Sequence, residues 1–325
     1  MRYDVVIIGG SLAGAACARS LARMGIDAIA LEKDTFPRPK VCGGFLSPNA
    51  VNCLDGLGLL ERVRRRGAVQ VDHASIHVEG ARFDVPFQRA GLGISRSALD
   101  CVLAEGAPVE EDRTVKEVCE QGNGFRIKTE KGDIEARVVI DAAGKLSRFT
   151  RRLAEPEFGI QYFDPQARGS SMDFWFFRDG YGGAVTVEGD RSNFCFLIRK
   201  DALPRYVSKP GRLVTGPLAY ARVPGTVIAI GDAAGMIDPF CGEGMHHALH
   251  SGILAARVVA EGLHGGRTYA QMKRAYDLES SKRWSGKRLL LQAMRRAIRH
   301  PEALKIGLRW NPRWFLDRLW ATIPS

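Results

Sequence analysis

The chain opens on an apolar run, Val5-Val6-Ile7-Ile8, that ends in a glycine turn and passes into an alanine-rich stretch. This pattern predicts a buried strand over 3–8, a helix over 12–24 and, after a turn at Gly25, a second strand over 27–32: a βαβ start. Residues 34–49 are rich in Pro and Gly and read as an ordered loop. Val51, Leu54, Leu57 and Leu60 fall on one face of a helix over 50–66. Alternation over 71–78 and 82–87 predicts a hairpin, and a helix follows over 97–105. Three strands are expected at 113–119, 124–129 and 133–140, the first two joined by Gln121-Gly122-Asn123-Gly124, a hairpin signal. A β pattern returns over Met172–Phe177, Gly183–Val187 and Phe194–Arg199, and 200–224 reads as a short connection. A buried strand at Val227–Ile230, a helix over Gly242–Glu261 and a long helix over 271–299 close the pattern, with Pro301 and Pro312 punctuating two terminal helical pieces.

A chain of 325 residues accommodates one large α/β domain with an inserted subdomain, or two modest domains. No apolar run reaches the roughly 18 residues of a membrane span. The N-terminal apolar stretch flows into the glycine turn without a cleavage region, so a cytoplasmic location is expected. Seven cysteines, odd in number, without regular spacing and with no CxxC pair, suggest reduced thiols rather than a disulfide framework or zinc. The charge is uneven. Residues 273–325 hold 13 Lys+Arg against 4 Asp+Glu, a net of +9 out of +11, together with four of the five tryptophans: Trp284, Trp310, Trp314 and Trp320. Basic residues interleaved with Trp and Leu read either as closing helices packed on the main domain or as a peripheral membrane contact. No nucleic-acid-binding motif accompanies the charge.

The candidate chemistry begins in Gly9-Gly10-Ser11-Leu12-Ala13-Gly14. Strand, glycine turn and helix in this order seat a dinucleotide pyrophosphate on a helix N-terminus. Ser11 stands where the middle glycine of the usual pattern is expected, and its hydroxyl is suited to donate to a phosphate oxygen. Glu32, at the end of the second strand, is placed to accept from ribose hydroxyls and disfavours a 2′-phosphate. More than two hundred residues on, Gly231-Asp232-Ala233-Ala234-Gly235 follows another buried strand. Two glycine-rich segments brought to one ligand from opposite ends of the chain suit FAD better than NAD. His246 and His250 have i, i+4 spacing but no evident third ligand, so no metal is expected. His73 and His77 share one side of a strand.

Four segments, in order, carry a resemblance. Phe36-Pro37-Arg38-Pro39-Lys40-Val41-Cys42-Gly43-Gly44 resembles the loop after the second strand in geranylgeranyl reductases, within the flavoprotein group of para-hydroxybenzoate hydroxylase and the flavin halogenases. Ser95-Arg96-Ser97-Ala98-Leu99-Asp100 is similar to that family's helix start, whose Arg lies near the flavin. Val138–Gly144 with Ser147, and Gly231–Gly235 through Pro239-Phe240-Cys241-Gly242-Glu243-Gly244, look like its second and third cofactor motifs. The resemblance covers about residues 1–290. It implies an α/β fold: a Rossmann-type FAD-binding domain (1–70, 95–157, 225–270), an inserted antiparallel substrate sheet (71–94, 158–224) and a C-terminal helical segment (271–325). Besides the first turn and Glu32, it implies cofactor contacts at Lys33, Arg38, Cys42, Gly43, Gly44, Arg96, Val115, Ala143, Gly144, Gly231, Asp232, Pro239, Gly242, Glu243, Gly244 and Met245. In the family the Asp of the third motif binds the ribityl chain, and the helix that follows faces the flavin pyrimidine.

The implied activity is an FAD-dependent oxidoreductase acting on a lipophilic substrate of prenyl, quinone or polyketide type, with NADH, NADPH or another reductant as external donor. Two reactions stay open: hydride transfer to a C=C bond, and monooxygenation. A non-catalytic flavin-binding redox sensor is a third reading. Cys42 and Tyr181 are the candidate catalytic side chains; a thiol such as Cys42 or Cys241 acts there as proton donor or simply packs. Two departures are visible. Gly180-Tyr181-Gly182-Gly183 lacks the Trp that follows a Gly-Tyr pair in the reductases, and the halogenases' Trp-x-Trp motif is absent. The 200–224 segment is short for the family, which predicts a more open pocket, closed by the C-terminal helices, a partner or a membrane.

Overall fold

A computed structural model describes residues 1–149, 151–208, 210–223, 225–298 and 300–310. β1 (Arg2–Ile8), α1 (Leu12–Arg23) and β2 (Ala28–Leu31) form the expected βαβ start, with β1 and β2 parallel. A short β3 (Phe45–Leu46) ends the Pro/Gly-rich loop. The helix expected over 50–66 is two helices, α2 (Pro48–Gly56) and α3 (Leu60–Arg65). Gly58, at φ +64°, breaks it: the left-handed residue lets the Leu59 N–H reach back to the Leu54 carbonyl, closing α2 in a Schellman-type turn. β4 (Val69–Val78) and β5 (Ala81–Gly93) make a longer hairpin than the alternation predicts, followed by α4 (Arg96–Ala104) and β6 (Val109–Glu110).

β7 (Val115–Gln121), β8 (Gly124–Thr129) and β9 (Ile134–Asp141) match the three expected strands. β10 (Arg151–Glu155), β11 (Glu157–Asp164), β12 (Ser171–Phe177), β13 (Gly180–Val187) and β14 (Arg191–Arg199) follow. The stretch expected to be a plain connection instead carries α5 (Pro204–Val207), β15 (Leu213–Thr215) and β16 (Leu218–Val223). β15 and β16 are set by their partners β11 and β10, so no alternation of their own marks them. β17 (Ile228–Ala229), α6 (Gly244–His264), α7 (Tyr269–Ile298) and α8 (Pro301–Trp310) complete the chain.

The first sheet runs β6-β2-β1-β9-β8-β7, with β17 on β9. β6, β2, β1, β9 and β17 are parallel. β1 is buried on both faces: Val5 and Ile7 pack with α1 and α6, Val6 and Ile8 with Val115 and Phe125. A continuous apolar run is what such a strand requires. The second sheet runs β15-β11-β14-β13-β12-β4-β5-β3. It is antiparallel as expected except between β4 and β12, which are parallel, His73 pairing with Ser171. The chain leaves this sheet after β5 and returns at β11 by way of the first sheet, and a long crossover permits parallel pairing.

α7 closes the molecule. Its Trp284 is 2% exposed and joins a core with Phe240, Leu291 and Met294. For that tryptophan the packing alternative holds. Trp310 is exposed, and Trp314, Trp320 and the helical piece after Pro312 lie outside the described residues. Among the described residues no helix is long and apolar enough to cross a membrane.

Candidate functional site

A cavity of about 200 Å³ opens where the carboxyl ends of β1 and β9 meet the inner face of the second sheet. Ligands of open α/β sheets bind at strand carboxyl ends. The glycine turn after β1 is dictated by contact. A Cβ on Gly9 would lie 2.6 Å from the Ala142 carbonyl oxygen, at a φ of +102°, and one on Gly14 would lie 1.8 Å from the Gly9 carbonyl. β1, α1 and the Ala142 turn therefore approach closely only with glycine at these positions.

Ser11 is the N-cap of α1, yet its side chain makes no capping hydrogen bond. Its hydroxyl donates to Asp100 (3.1 Å) and accepts from Arg96 (2.5 Å), and Arg96 grips Asp100 from one helical turn away. The first-turn N–H groups of α1 are thus left without a side-chain cap. The same holds at the N-terminus of α6, where Glu243 gives no capping bond. By contrast α2 and α4 are capped by Ser47 and Ser95. Gly244 and Met245 of α6 line the cavity. α3 and α5 also lack a side-chain cap, but α1 and α6 are the uncapped helices whose first residues line the cavity. Asp100 was missed as a site residue; its i, i+4 spacing from Arg96 is the signal that points to it.

The Cys42-Gly43-Gly44 loop forms one wall and is held by the second sheet. The Cys42 N–H donates to Gln161 (3.3 Å), the Cys42 carbonyl accepts from Asn193 (2.9 Å), and Gln161 donates to Asn193 (2.7 Å). Both amides are buried. Gly43 faces open space, whereas a Cβ on Gly44 would sit 2.6 Å from the Asn193 amide at a φ of +76°. Cys195, from β14, lines the same cavity, and burial pushes its thiol up to about 12. Neither the amide pair nor Cys195 belongs to any motif visible in the sequence.

The third motif folds as a 3₁₀ turn over Gly231–Ala234, with the Gly231 N–H on Ser251. Asp232 lines the cavity among Arg96, Lys40 and Lys145. Burial, with repulsion from Arg96, pulls Lys40 down to about 8, and burial also lowers Lys145. In the second motif Asp141 accepts from the Ala143 N–H and the Ser147 hydroxyl, so it shapes its own turn. Glu32 is buried, accepts from the Gly10 N–H (3.0 Å) and pairs with Arg38 (3.5 Å).

The structure gathers Ser11, Leu12, Ala13, Cys42, Gly43, Gly44, Arg96, Gly144, Tyr181, Gly231, Asp232, Pro239, Gly242, Gly244 and Met245 on the cavity. Gly9, Gly10, Gly14, Glu32, Lys33, Arg38, Val115, Ala143 and Glu243 stand outside its walls. Lys33 is exposed, and Val115 packs with Val6 and Leu31. Glu243 turns away from the cavity, accepting from Lys287 (3.1 Å) and hydrogen-bonded to the His246 ring; against the pull of burial, the His246 hydrogen bond and the Lys287 charge hold it down at about 2. The Tyr181 ring forms a wall while its hydroxyl donates to Asp238, and burial raises the phenol well above its ordinary value. Burial likewise pushes Asp238 up to about 6. Among the described residues none from the C-terminal helices lines the cavity, whereas Thr215 and Leu218, from the segment expected to be short, do. His246, His247 and His250 pack against Trp284. Among the described residues no group of three or more His, Cys, Asp or Glu is arranged to hold a metal ion.

Comparisons with known proteins bear on this geometry. Residues 2–143 match the family model described as FAD binding domain. A digeranylgeranylglycerophospholipid reductase of Thermoplasma volcanium is 28% identical over 352 aligned positions, covering 88% of this chain and 85% of that protein. A chloroplastic geranylgeranyl diphosphate reductase of Oryza sativa subsp. japonica is 27% identical, covering 82% and 68%. Among solved structures, the flavin-dependent brominase Bmp2 superimposes with a TM-score of 0.80 at 20% identity over 98% of this chain and 93% of that one. PqsL of Pseudomonas aeruginosa, described as a probable FAD-dependent monooxygenase, gives 0.76 at 16% over 93% and 98%. These likenesses between structures show the fold.

Proposed function

We propose that this enzyme, an oxidoreductase of the FAD-dependent group, reduces a C=C bond of a lipophilic, prenyl-type substrate. The observation that carries the reading is a single cavity with two kinds of wall. One is a dinucleotide cradle of glycines and uncapped helix N-termini. The other is apolar, built by Met172, Phe174, Phe196 and Leu197 of the second sheet. The two relatives described above are named as reductases of geranylgeranyl compounds.

The residues fit FAD. The uncapped α1 N-terminus and the Gly9–Gly14 turn suit its diphosphate, and Glu32 the ribose hydroxyls. Asp232 suits the ribityl chain. The α6 N-terminus suits the negative charge of the reduced ring. Gly43 and Gly244, where a Cβ would meet nothing within 4 Å, leave room for the ring. When bound and reduced, FAD supplies hydride. The chain's task is to bind, orient and exclude water. Cys42 Sγ, on the cavity wall, holds the proton that saturates the second carbon and regains it from solvent. Tyr181, whose hydroxyl is committed to Asp238, shapes the apolar wall. In this reading the first sheet with α1 and α6 carries the cofactor, and the second carries the substrate. NADH or NADPH is the external donor.

The deciding experiment is product mass after turnover with geranylgeranyl substrate and each nicotinamide donor. A gain of two hydrogens per turnover is expected. A gain of one oxygen sinks the reductase reading in favour of a monooxygenase, the second reading, which the fold shared with PqsL favours. Cys42→Ala is expected to lower turnover by roughly 10²-fold, the lower range for loss of a general acid, with FAD still bound.

A further inference from the structure

Segment 231–243 has two faces. Gly231, Asp232, Met236, Ile237, Pro239, Phe240 and Gly242 line the cavity. The groups interleaved with them are bound by one face of α7. Arg288 donates to the carbonyls of Ala234 (3.2 Å) and Gly235 (3.4 Å). Arg295 reaches Asp238 (Nε to Oδ2, 3.4 Å) and pairs with Glu157. Lys287 reaches Glu243 (3.1 Å) and is 6% exposed. Lys287, Arg288 and Arg295 share a stripe with Trp284 and Leu291, since spacings of three, four and seven recur on one helical face.

Asp238 and Glu243 of this segment are buried, and removing the cation from a buried pair leaves a charge that the interior does not tolerate. Asp238 also accepts from the Tyr181 hydroxyl and the Phe240 N–H (3.3 Å). Tyr220 donates to Glu157 (3.2 Å) and lies beneath the Arg295 guanidinium. A shift of Arg295 would therefore reach the cavity wall through Tyr181 and the entry to α6 through Phe240.

We propose that Lys287, Arg288 and Arg295 are positioning residues of the flavin site: α7 clamps the outer face of segment 231–243 so that its inner face keeps the shape that receives FAD. Part of the C-terminal basic charge thus serves the interior rather than a surface. The proposal rests on FAD occupying this cavity and is independent of which substrate is reduced.

The test uses the full FAD-loaded chain and reads the FAD dissociation constant and the visible flavin spectrum. Arg295→Met, Lys287→Met and Arg288→Met are each expected to weaken FAD binding about tenfold or more and to shift the flavin absorption band. Arg295→Lys is expected to restore binding to within about threefold. Lys282→Met, on the exposed side of α7, is expected to change neither. If Arg295→Met does not fold, Arg288→Met decides, because it removes the donors to two carbonyls of the segment while Asp238 and Glu243 keep Arg295 and Lys287. Unchanged FAD affinity and spectrum in the folded variants, even with lowered thermal stability, would overturn the proposal and leave α7 a cover. Failure of the wild-type chain to bind FAD would instead overturn the placement of the cofactor.

Discussion

Two neighbouring glycines separate folding from binding at the scale of single residues. Gly44 has a left-handed φ, and a Cβ there meets the Asn193 amide at 2.6 Å and the Ile94 carbonyl at 3.2 Å. Gly44→Ala is expected to cost about 1–3 kcal/mol of stability, measured by denaturant unfolding. Gly43 is not left-handed and faces open space, so Gly43→Ala is expected to leave stability within about 0.5 kcal/mol. With FAD in the cavity as proposed, the added methyl group crowds it, so FAD retention should fall. Equal FAD retention by Gly43→Ala and wild type would show that no ligand approaches there. At this scale the sequence was informative about which residues meet. Glycines, Ser11, Arg96 and Asp232 are legible because their neighbours in the chain form a motif. Gln161, Asn193 and Cys195 are not, because they come from strands whose alternation says only which face is inward.

At the scale of elements, α6 and its N-cap Glu243 carry several shifted titratable groups. Burial lowers His250 from 6.5 to about 4 and drives His247 well below its ordinary value. A histidine whose folded pKa is depressed binds fewer protons in the native state. Its contribution is full above pH 6.5 and is lost as pH falls through that window toward 4. Glu243, lowered from 4.5 to about 2, acts in the same direction at lower pH: its contribution is full above 4.5 and lost as pH falls toward 2. These groups should therefore lower the unfolding free energy in two stages, first below pH 6.5 and again below pH 4.5, while Asp238, raised from 3.8 to about 6, opposes the loss between those two values because its native carboxyl binds a proton more readily than the unfolded one. Glu243→Gln is expected to lose about 3 kcal/mol at pH 7, since each pH unit by which the fold lowers a carboxyl is worth about 1.4 kcal/mol, and the gap to wild type should close near pH 2. A constant gap across that range would show that Glu243 matters by packing alone. The sequence read this helix two residues early, at Gly242, because a left-handed glycine and the Glu243 N-cap precede its first turn. The paired histidines, legible as a spacing, pack on a tryptophan that only α7 brings to them.

For the whole molecule, the C-terminal charge divides. Lys287, Arg288 and Arg295 point inward, while Leu289, Ile306 and Trp310 are exposed, Trp310 by 87%. Deleting the residues after His300 is expected to weaken binding to anionic liposomes while FAD stays bound, because the clamp residues are retained. Unchanged liposome binding would remove the membrane reading. What the sequence by itself determined is the local: the βαβ start, the glycine turns, the order of the cofactor motifs and most strands, since each is set by neighbours within a few residues. What only the tertiary structure decided is the pairing of distant groups. The parallel join of β4 and β12, the amide lock on the Cys42 loop and the docking of α7 behind segment 231–243 join residues from about 50 to 150 positions apart. Hydrophobic periodicity records that a face is buried. It does not record which charged partner arrives to neutralise an acid there, and that partner is chosen only when the long crossovers close.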